Sequence, residues 1–166
     1  AMGPFISLRA IEQIKCGPAM MNLPMTILSV GIGLGYADAG PTHYATEDYA
    51  CLRAIGGTSI FTASDNKIAK QIAQNILNNK SVKYVRLDRH PTEELKEYEN
   101  NYDFSDGFRI FGSHSKDKIA IISHGRILKN CIKSLKEVKD NVFIIDLFRS
   151  KPISNQFCET LKNVKT

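Results

Sequence analysis

No apolar run in this sequence approaches the ~18 residues that a membrane-crossing helix needs, which excludes a helical membrane protein. Cysteine is sparse: Cys16, Cys51, Cys131 and Cys158 lie far apart, without a CxxC pair. No histidine stands at zinc-finger spacing from them. These gaps exclude a disulfide-dense secreted module and lead us to expect isolated thiols in a reducing compartment. No signal peptide is visible, so a cytoplasmic location is expected. The opening Ala1-Met2-Gly3 reads as a cloning scar and is set aside.

What remains is globular. The chain has 166 residues and is 43% hydrophobic. A domain usually takes ~100–200 residues, and a chain of this size buries roughly 70% of its unfolded surface. Neither disulfides nor a metal is needed to hold its core. Lysine and arginine number 22 against 17 acidic residues, a net charge of +5. The excess falls mostly after residue 115, at Lys116, Lys118, Lys129, Lys133, Lys136 and Lys139. Several of these lie on the polar side of one predicted helix that lacks interleaved aromatics. They read as a solvated face rather than a nucleic-acid patch. Neither nucleic acid nor a membrane is expected as a partner.

Periodicity gives an alternation of elements. Residues 7–16 read as a helix that Gly17-Pro18 stops. Residues 24–30 read as a buried strand, and the Gly-rich loop GIGLGYADAGPTHY follows. Residues 47–55 read as a helix ended by Gly56-Gly57, and 58–63 as a strand. Ser64 or Asp65 caps the next helix. It runs to about Leu77 with Ile68, Ile72 and Ile76 on one face, and Asn78-Asn79 closes it. Residues 82–87 make another strand. Residues 91–117 are polar, with little apolar periodicity, and read as a linker crossing the surface. A strand (119–123), a helix (127–138) and a strand (142–147) follow. The strands are continuous apolar runs, as when both sheet faces are covered. The expected class is α/β: a mostly parallel twisted sheet with helices on both faces, then a partial second α/β unit.

Four groups of residues bear chemistry. The loop Gly31-Ile32-Gly33-Leu34-Gly35 is not a dinucleotide fingerprint, because no helix follows it directly. It is either a plain connection or a place where backbone approaches a ligand after the carboxyl end of a strand. His43 is either an ordinary loop histidine or a proton donor and acceptor, since imidazole as a group titrates near neutrality. With Glu47 it supplies only two metal ligands, too few for a site, so no metal is assigned. Arg86, Asp88, Arg89 and His90 are either salt-bridged surface charge or an anion-recognising strand end. Ser123-His124-Gly125 reads as a structural turn rather than part of a triad.

Taken together, the segments resemble the transketolase family of thiamine-diphosphate enzymes. The carrying residues are Pro4-Phe5, Arg9-Ala10 and Glu12-Gln13-Ile14, then Asn22-Leu23-Pro24. Gly40-Pro41-Thr42-His43, Glu47-Asp48, Leu52-Arg53-Ala54, Asp65 and Arg86-Leu87-Asp88-Arg89 continue the match. Ile119-Ala120-Ile121-Ile122, Ile144-Ile145-Asp146-Leu147 and Lys151-Pro152-Ile153 resemble the start of the family's C-terminal domain. The resemblance implies a thiamine-diphosphate-binding fold, with a pyrimidine-binding domain at 4–90, a linker at 91–117 and the start of the C-terminal domain at 118–166. It implies thiamine diphosphate and Mg²⁺ as cofactors, and transfer of a two-carbon ketol unit between sugar-like substrates.

By resemblance, His43 is catalytic and hydrogen-bonds the substrate. Phe5 stacks on the cofactor's pyrimidine, and Arg89 lies near substrate phosphate. The glutamate that activates the aminopyrimidine and the Mg²⁺ ligands are expected on a missing domain or partner. The chain alone is therefore expected to be inactive, with exposed apolar surface. Its expected partners are further copies, or a diphosphate-binding domain or subunit, and a small phosphorylated sugar-like substrate. Two departures stand out. Gly31 takes the place of a phosphate-binding histidine, and Ala39 that of an acidic residue. Three alternatives remain open: a 1-deoxy-D-xylulose-5-phosphate-synthase-like enzyme, the β-type subunit of a 2-oxoacid dehydrogenase, and a non-catalytic interaction subunit.

Overall fold

The computed structural model describes residues 1–78, 80–162 and 164, Asn78 by its backbone alone. Strands β1 (Met25–Val30), β2 (Thr58–Thr62) and β3 (Val82–Leu87) run parallel, with β3 between the other two. Every residue of β2 is buried, because this strand has neighbours on both edges and packing on both faces. On one face, Ile60 and Tyr84 pack with Ile27, Ile14 and Leu52. On the other, Phe61 and Val85 pack with Ile68, Ile72 and Phe148. Alternate residues of a strand thus serve opposite cores, as the two-residue period requires.

Helices cover both faces. Helix α1 spans Gly3–Ile6, and α2 spans Ile11–Ile14. The stop expected at Gly17-Pro18 does not occur there. Helix α2 widens into a π-type turn over Lys15–Ala19, kinked at Gly17 (φ −86°, ψ −106°). The extra residue of a π turn absorbs the proline without ending the coil. Helix α3 is Asp48–Ala54, and Lys151 Nζ donates to the carbonyls of Arg53 and Ile55 at its end. A cation there satisfies exposed carbonyls and complements the helix dipole. Helix α4 is Asn66–Asn75, capped by Asp65, whose Oδ1 accepts from Ile68 N at 2.8 Å. A 3₁₀ turn over Ile76–Asn78 extends it; Asn79, the second residue of the expected stop, lies outside the described residues. Ile68 is fully buried, so Ile68→Val should cost about 0.5–1.5 kcal/mol in urea unfolding. No loss would show that α4 packs loosely on the sheet.

A second sheet holds β4 (Arg109–Phe111), β5 (Ile119–Ser123) and β6 (Val142–Asp146), in the order β4-β6-β5. Helix α5 (Leu128–Val138) buries Leu128, Ile132 and Leu135 against Phe111 and Ile144. A final strand, β7 (Arg149–Lys151), returns to the first sheet and pairs antiparallel with β2. Helix α6 (Asn155–Leu161), capped by Ser154, follows.

Three expectations are corrected. Residues 91–117 are not all surface linker, because 109–111 form β4 and Arg109 is fully buried. Strands β1 and β5 are sheet edges rather than buried strands: Met25 and Leu28 are exposed, as are Ile119, Ile121 and Ile122. The opening Ala1-Met2-Gly3, set aside above, belongs to the fold. Met2 bridges Val30 in parallel, and the Ala1 carbonyl accepts from Val30 N at 2.9 Å. Gly3 is buried so tightly that a Cβ there would lie 2.5 Å from that of Ala45.

Candidate functional site

Strands β1 and β3 end side by side at Val30 and Leu87. The residues that follow build the site, in the crevice beyond the carboxyl ends of parallel strands where open α/β sheets place ligands. The glycine loop after β1 is stapled at its base by a pair of hydrogen bonds between Gly33 and Ala45, at 3.0 and 2.9 Å. Inside that staple, Pro41–His43 forms one 3₁₀ turn, entered through Gly40 at φ +82°. The His43 ring emerges there, with Nδ1 2.9 Å from Thr42 Oγ1.

Two of the three residues expected to act meet at this turn, and the third, Arg89, is linked to it only through Tyr36. Phe5, at the end of α1, meets His43 edge to face, with ring centroids 5.2 Å apart. Tyr36 lies 6.5 Å from His43 on another side. The Arg89 guanidinium stacks on Tyr36 at 4.6 Å and reaches Asp38 Oδ1 through Nη1 at 2.7 Å. That bond holds the Asp38 carboxyl below its ordinary range. Arg9 covers the Phe5 ring at 4.1 Å. Sequence reasoning missed Tyr36 and Asp38 as members of this cluster. Their signal was an aromatic and an acid inside a glycine-rich loop.

Beneath the loop lies a buried charge pair. Asp48, the first residue of α3, is fully buried and takes two bonds from Arg86, Nε at 3.0 Å and Nη2 at 3.1 Å. Tyr84 donates to Asp48 Oδ2 at 2.7 Å. Burial, with the Asp48 charge beside it, pushes the Tyr84 hydroxyl's pKa up. Arg86 is thus not surface charge: its Nε and Nη2 are taken up by the buried Asp48 carboxylate. Asp88 instead caps the following turn, accepting from His90 N. Glu47 pairs with Thr46 rather than with His43.

The Ser123-His124-Gly125 segment is not itself a turn: Ser123 ends β5, His124 is extended, and Gly125 opens a 3₁₀ turn over Gly125–Ile127. Gly125 (φ +70°) donates its amide to Ser64 Oγ at 2.9 Å, and the His124 ring stacks on Tyr49. Burial, and then nearby Arg86, hold the His124 imidazole below its usual range. Its Nδ1 and Ser123 Oγ have no partner among the described residues, so the two do not form a catalytic couple. A cavity of about 290 Å³ opens along the glycine loop, lined by Gly33, Gly35, Arg86, Asp88 and His124. Among the described residues, no group of three or more His, Cys, Asp or Glu side chains is placed to hold a metal. No helix of the described residues is long and apolar enough to cross a membrane.

The fold and site define an α/β domain with an aromatic and imidazole cluster at the carboxyl ends of its parallel strands. This class becomes specific on comparison. Residues 2–93, more than half of the chain, match the family model of the transketolase pyrimidine-binding domain, and the chain belongs to that family. Human transketolase is 26% identical over 152 residues, which cover 89% of this chain and 24% of the relative. A putative transketolase C-terminal section of Methanocaldococcus jannaschii is 26% identical over 162 residues, covering 96% of this chain and 51% of the relative. One subunit of the apulose-4-phosphate transketolase of Actinobacillus succinogenes is 30% identical, covering 74% of this chain and 38% of the relative.

The chain therefore spans about a quarter to a half of these relatives. The solved transketolase of Campylobacter jejuni shares the fold at TM-score 0.83 and 17% identity, over 97% of this chain and 26% of that one. A split-gene transketolase, described as an inactive beta4 tetramer, does so at 0.79 and 18%, over 99% of this chain and 53% of that one.

Proposed function

We propose that this chain supplies the aminopyrimidine side of a thiamine-diphosphate site that transfers a two-carbon ketol unit between sugar-like substrates. The observation that carries the reading is the edge-to-face contact of Phe5 with His43, with Arg89 joined to His43 through the Tyr36 ring, beyond the carboxyl ends of β1 and β3. Family membership implies the cofactor, and the residues fit its heterocyclic end. Phe5 offers a half-buried aromatic ring, and His43 a half-buried imidazole beside it. Bound thiamine diphosphate supplies an electron sink to the reaction. Phe5 would pack on the cofactor's ring, and His43 would hold or move a proton at a substrate oxygen.

The diphosphate and Mg²⁺ are held by another domain or subunit in this reading. Relatives whose names mark them as a subunit or a section support it, as does the beta4 assembly of a structural neighbour. Exposed Met20, Met21 and Leu23, near an apolar groove of about 700 Å³, offer such a partner an apolar face.

Titrating thiamine diphosphate and Mg²⁺ into the folded chain tests the half-site directly. No measurable heat is expected, whereas tight Mg²⁺-dependent binding would overturn it. In the assembled enzyme, His43→Ala should lower kcat by about 10²–10³-fold while leaving the melting temperature unchanged. A loss within a few-fold would remove His43 from the chemistry.

A further inference from the structure

The glycine loop turns an acidic side chain of its own onto the Arg89 guanidinium. Asp38 Oδ1 sits 2.7 Å from Arg89 Nη1, and the Tyr36 ring covers the guanidinium at 4.6 Å. The loop backbone sets both residues beside Arg89. Asp38 lies in the 3₁₀ turn Ala37–Ala39, held by Ala37 N to Leu34 O and Ala39 N to Tyr36 O, each at 3.0 Å. The Tyr36 ring occupies the space above Gly31, which has φ +78°; any Cβ at position 31 would run into the ring. The loop thus depends on glycine at 31 to let Tyr36 lie against Arg89.

We propose that Tyr36 and Asp38 close Arg89 to phosphate, so that the site beside His43 takes a substrate whose end at Arg89 is an uncharged hydroxyl group. The sugar-like nature of that substrate rests on the proposed function; the closure is a property of the loop. The chemistry of the pair decides the selection. A hydroxyl both donates and accepts, so it can bond to the Asp38 carboxylate and the Arg89 guanidinium together. A phosphate dianion only accepts, and it meets the Asp38 carboxylate, of its own sign, already bonded to the guanidinium. The Asp38 side chain is 69% exposed, so the pair adds little to stability. Removing its charge therefore changes recognition without unfolding the loop.

Inorganic phosphate is the probe, titrated into the wild-type chain, Asp38→Asn, Arg89→Met and the variant that carries both changes. Asp38→Asn should bind phosphate about tenfold more tightly than wild type, and the double variant should lose that gain. Wild-type binding as tight as that of Asp38→Asn, and lost in Arg89→Met, would overturn the closure. A gain that survives in the double variant would overturn it as well, since the anion would then sit elsewhere. In the assembled enzyme, Asp38→Asn should raise kcat/KM for a phosphorylated ketose relative to its unphosphorylated counterpart; an unchanged ratio counts against the selection. Absence of any ketol transfer would sink the proposed function instead, and the phosphate titrations would still decide the closure.

Discussion

Replacing Arg109 with methionine should cost about 3–5 kcal/mol of stability at neutral pH, as expected when one partner of a buried ion network is removed. Arg109 is fully buried and bonds to three carboxylates. Its Nη2 reaches Asp65 at 2.8 Å, Nε reaches Asp146 at 2.9 Å and Nη1 reaches Glu99 at 2.7 Å. Asp65 and Asp146 are also buried, and Ser64 Oγ donates to Asp146. Methionine fills much of the space but leaves buried Asp65 and Asp146 without a cation, while Glu99 keeps Lys67 at 2.6 Å, so the desolvation of the two aspartates is no longer offset. Urea unfolding of both proteins measures the difference. A cost under about 1 kcal/mol, the range of exposed pairs, would show that water reaches the network.

The same network carries a pH dependence with a defined sign. One guanidinium faces three carboxylates, and burial pushes the Asp146 carboxyl up to about 6, against the opposing pull of Arg109. An unfolded aspartate titrates near ~4. The folded state therefore holds this proton more tightly than the unfolded state does. The contribution of Asp146 to stability is complete below about pH 4 and is lost as pH rises through about 6. Asp146→Asn should flatten that part of the profile, read from unfolding midpoints between pH 4 and 7; parallel profiles for the two proteins would refute the assignment. In Arg109→Met the penalty should shrink on acidification, as the stranded carboxylates take up protons.

Asp48→Leu should be nearly as damaging, again by about 3–5 kcal/mol, because it strands a buried guanidinium. Arg86 would lose both of its short bonds, and Tyr84 the acceptor at 2.7 Å. Asp48 also opens the helix that leaves the His43 loop, so the variant should disturb the site as well as the core. Replacing both partners, Asp48→Leu with Arg86→Met, should recover a large part of the loss, since neither charge then remains buried alone. Additive costs in the double variant would mean that the two residues act independently.

Much of the first sheet was legible in advance. Strands β2 and β3 are short segments rich in β-branched and aromatic residues bounded by turn residues, and Ile68, Ile72 and Ile76 stand at helical spacing after the capping Asp65. Each of these signals is local: a residue's neighbours along the chain set its periodicity and its cap. His43, Phe5 and Arg89 were named through a family resemblance; the structure sets Phe5 against His43 and links Arg89 to them only through Tyr36. What local signals left out are short pairings and long-range charge. Strands β4 and β7 have three residues each, too few for a periodicity to show.

The sequence by itself determined the α/β class, the order of the longer elements and the loop that carries His43, because these follow from apolar spacing, turn residues and caps within a few positions of one another. Only the tertiary structure decided where the charges go. Arg109 pairs with carboxylates 10, 37 and 44 residues away, Arg86 with one 38 residues away, and Arg89 with one 51 residues away. A guanidinium has the same composition whether it faces water, a buried aspartate or a substrate. The fold settles which, by fixing what has been removed from water around it.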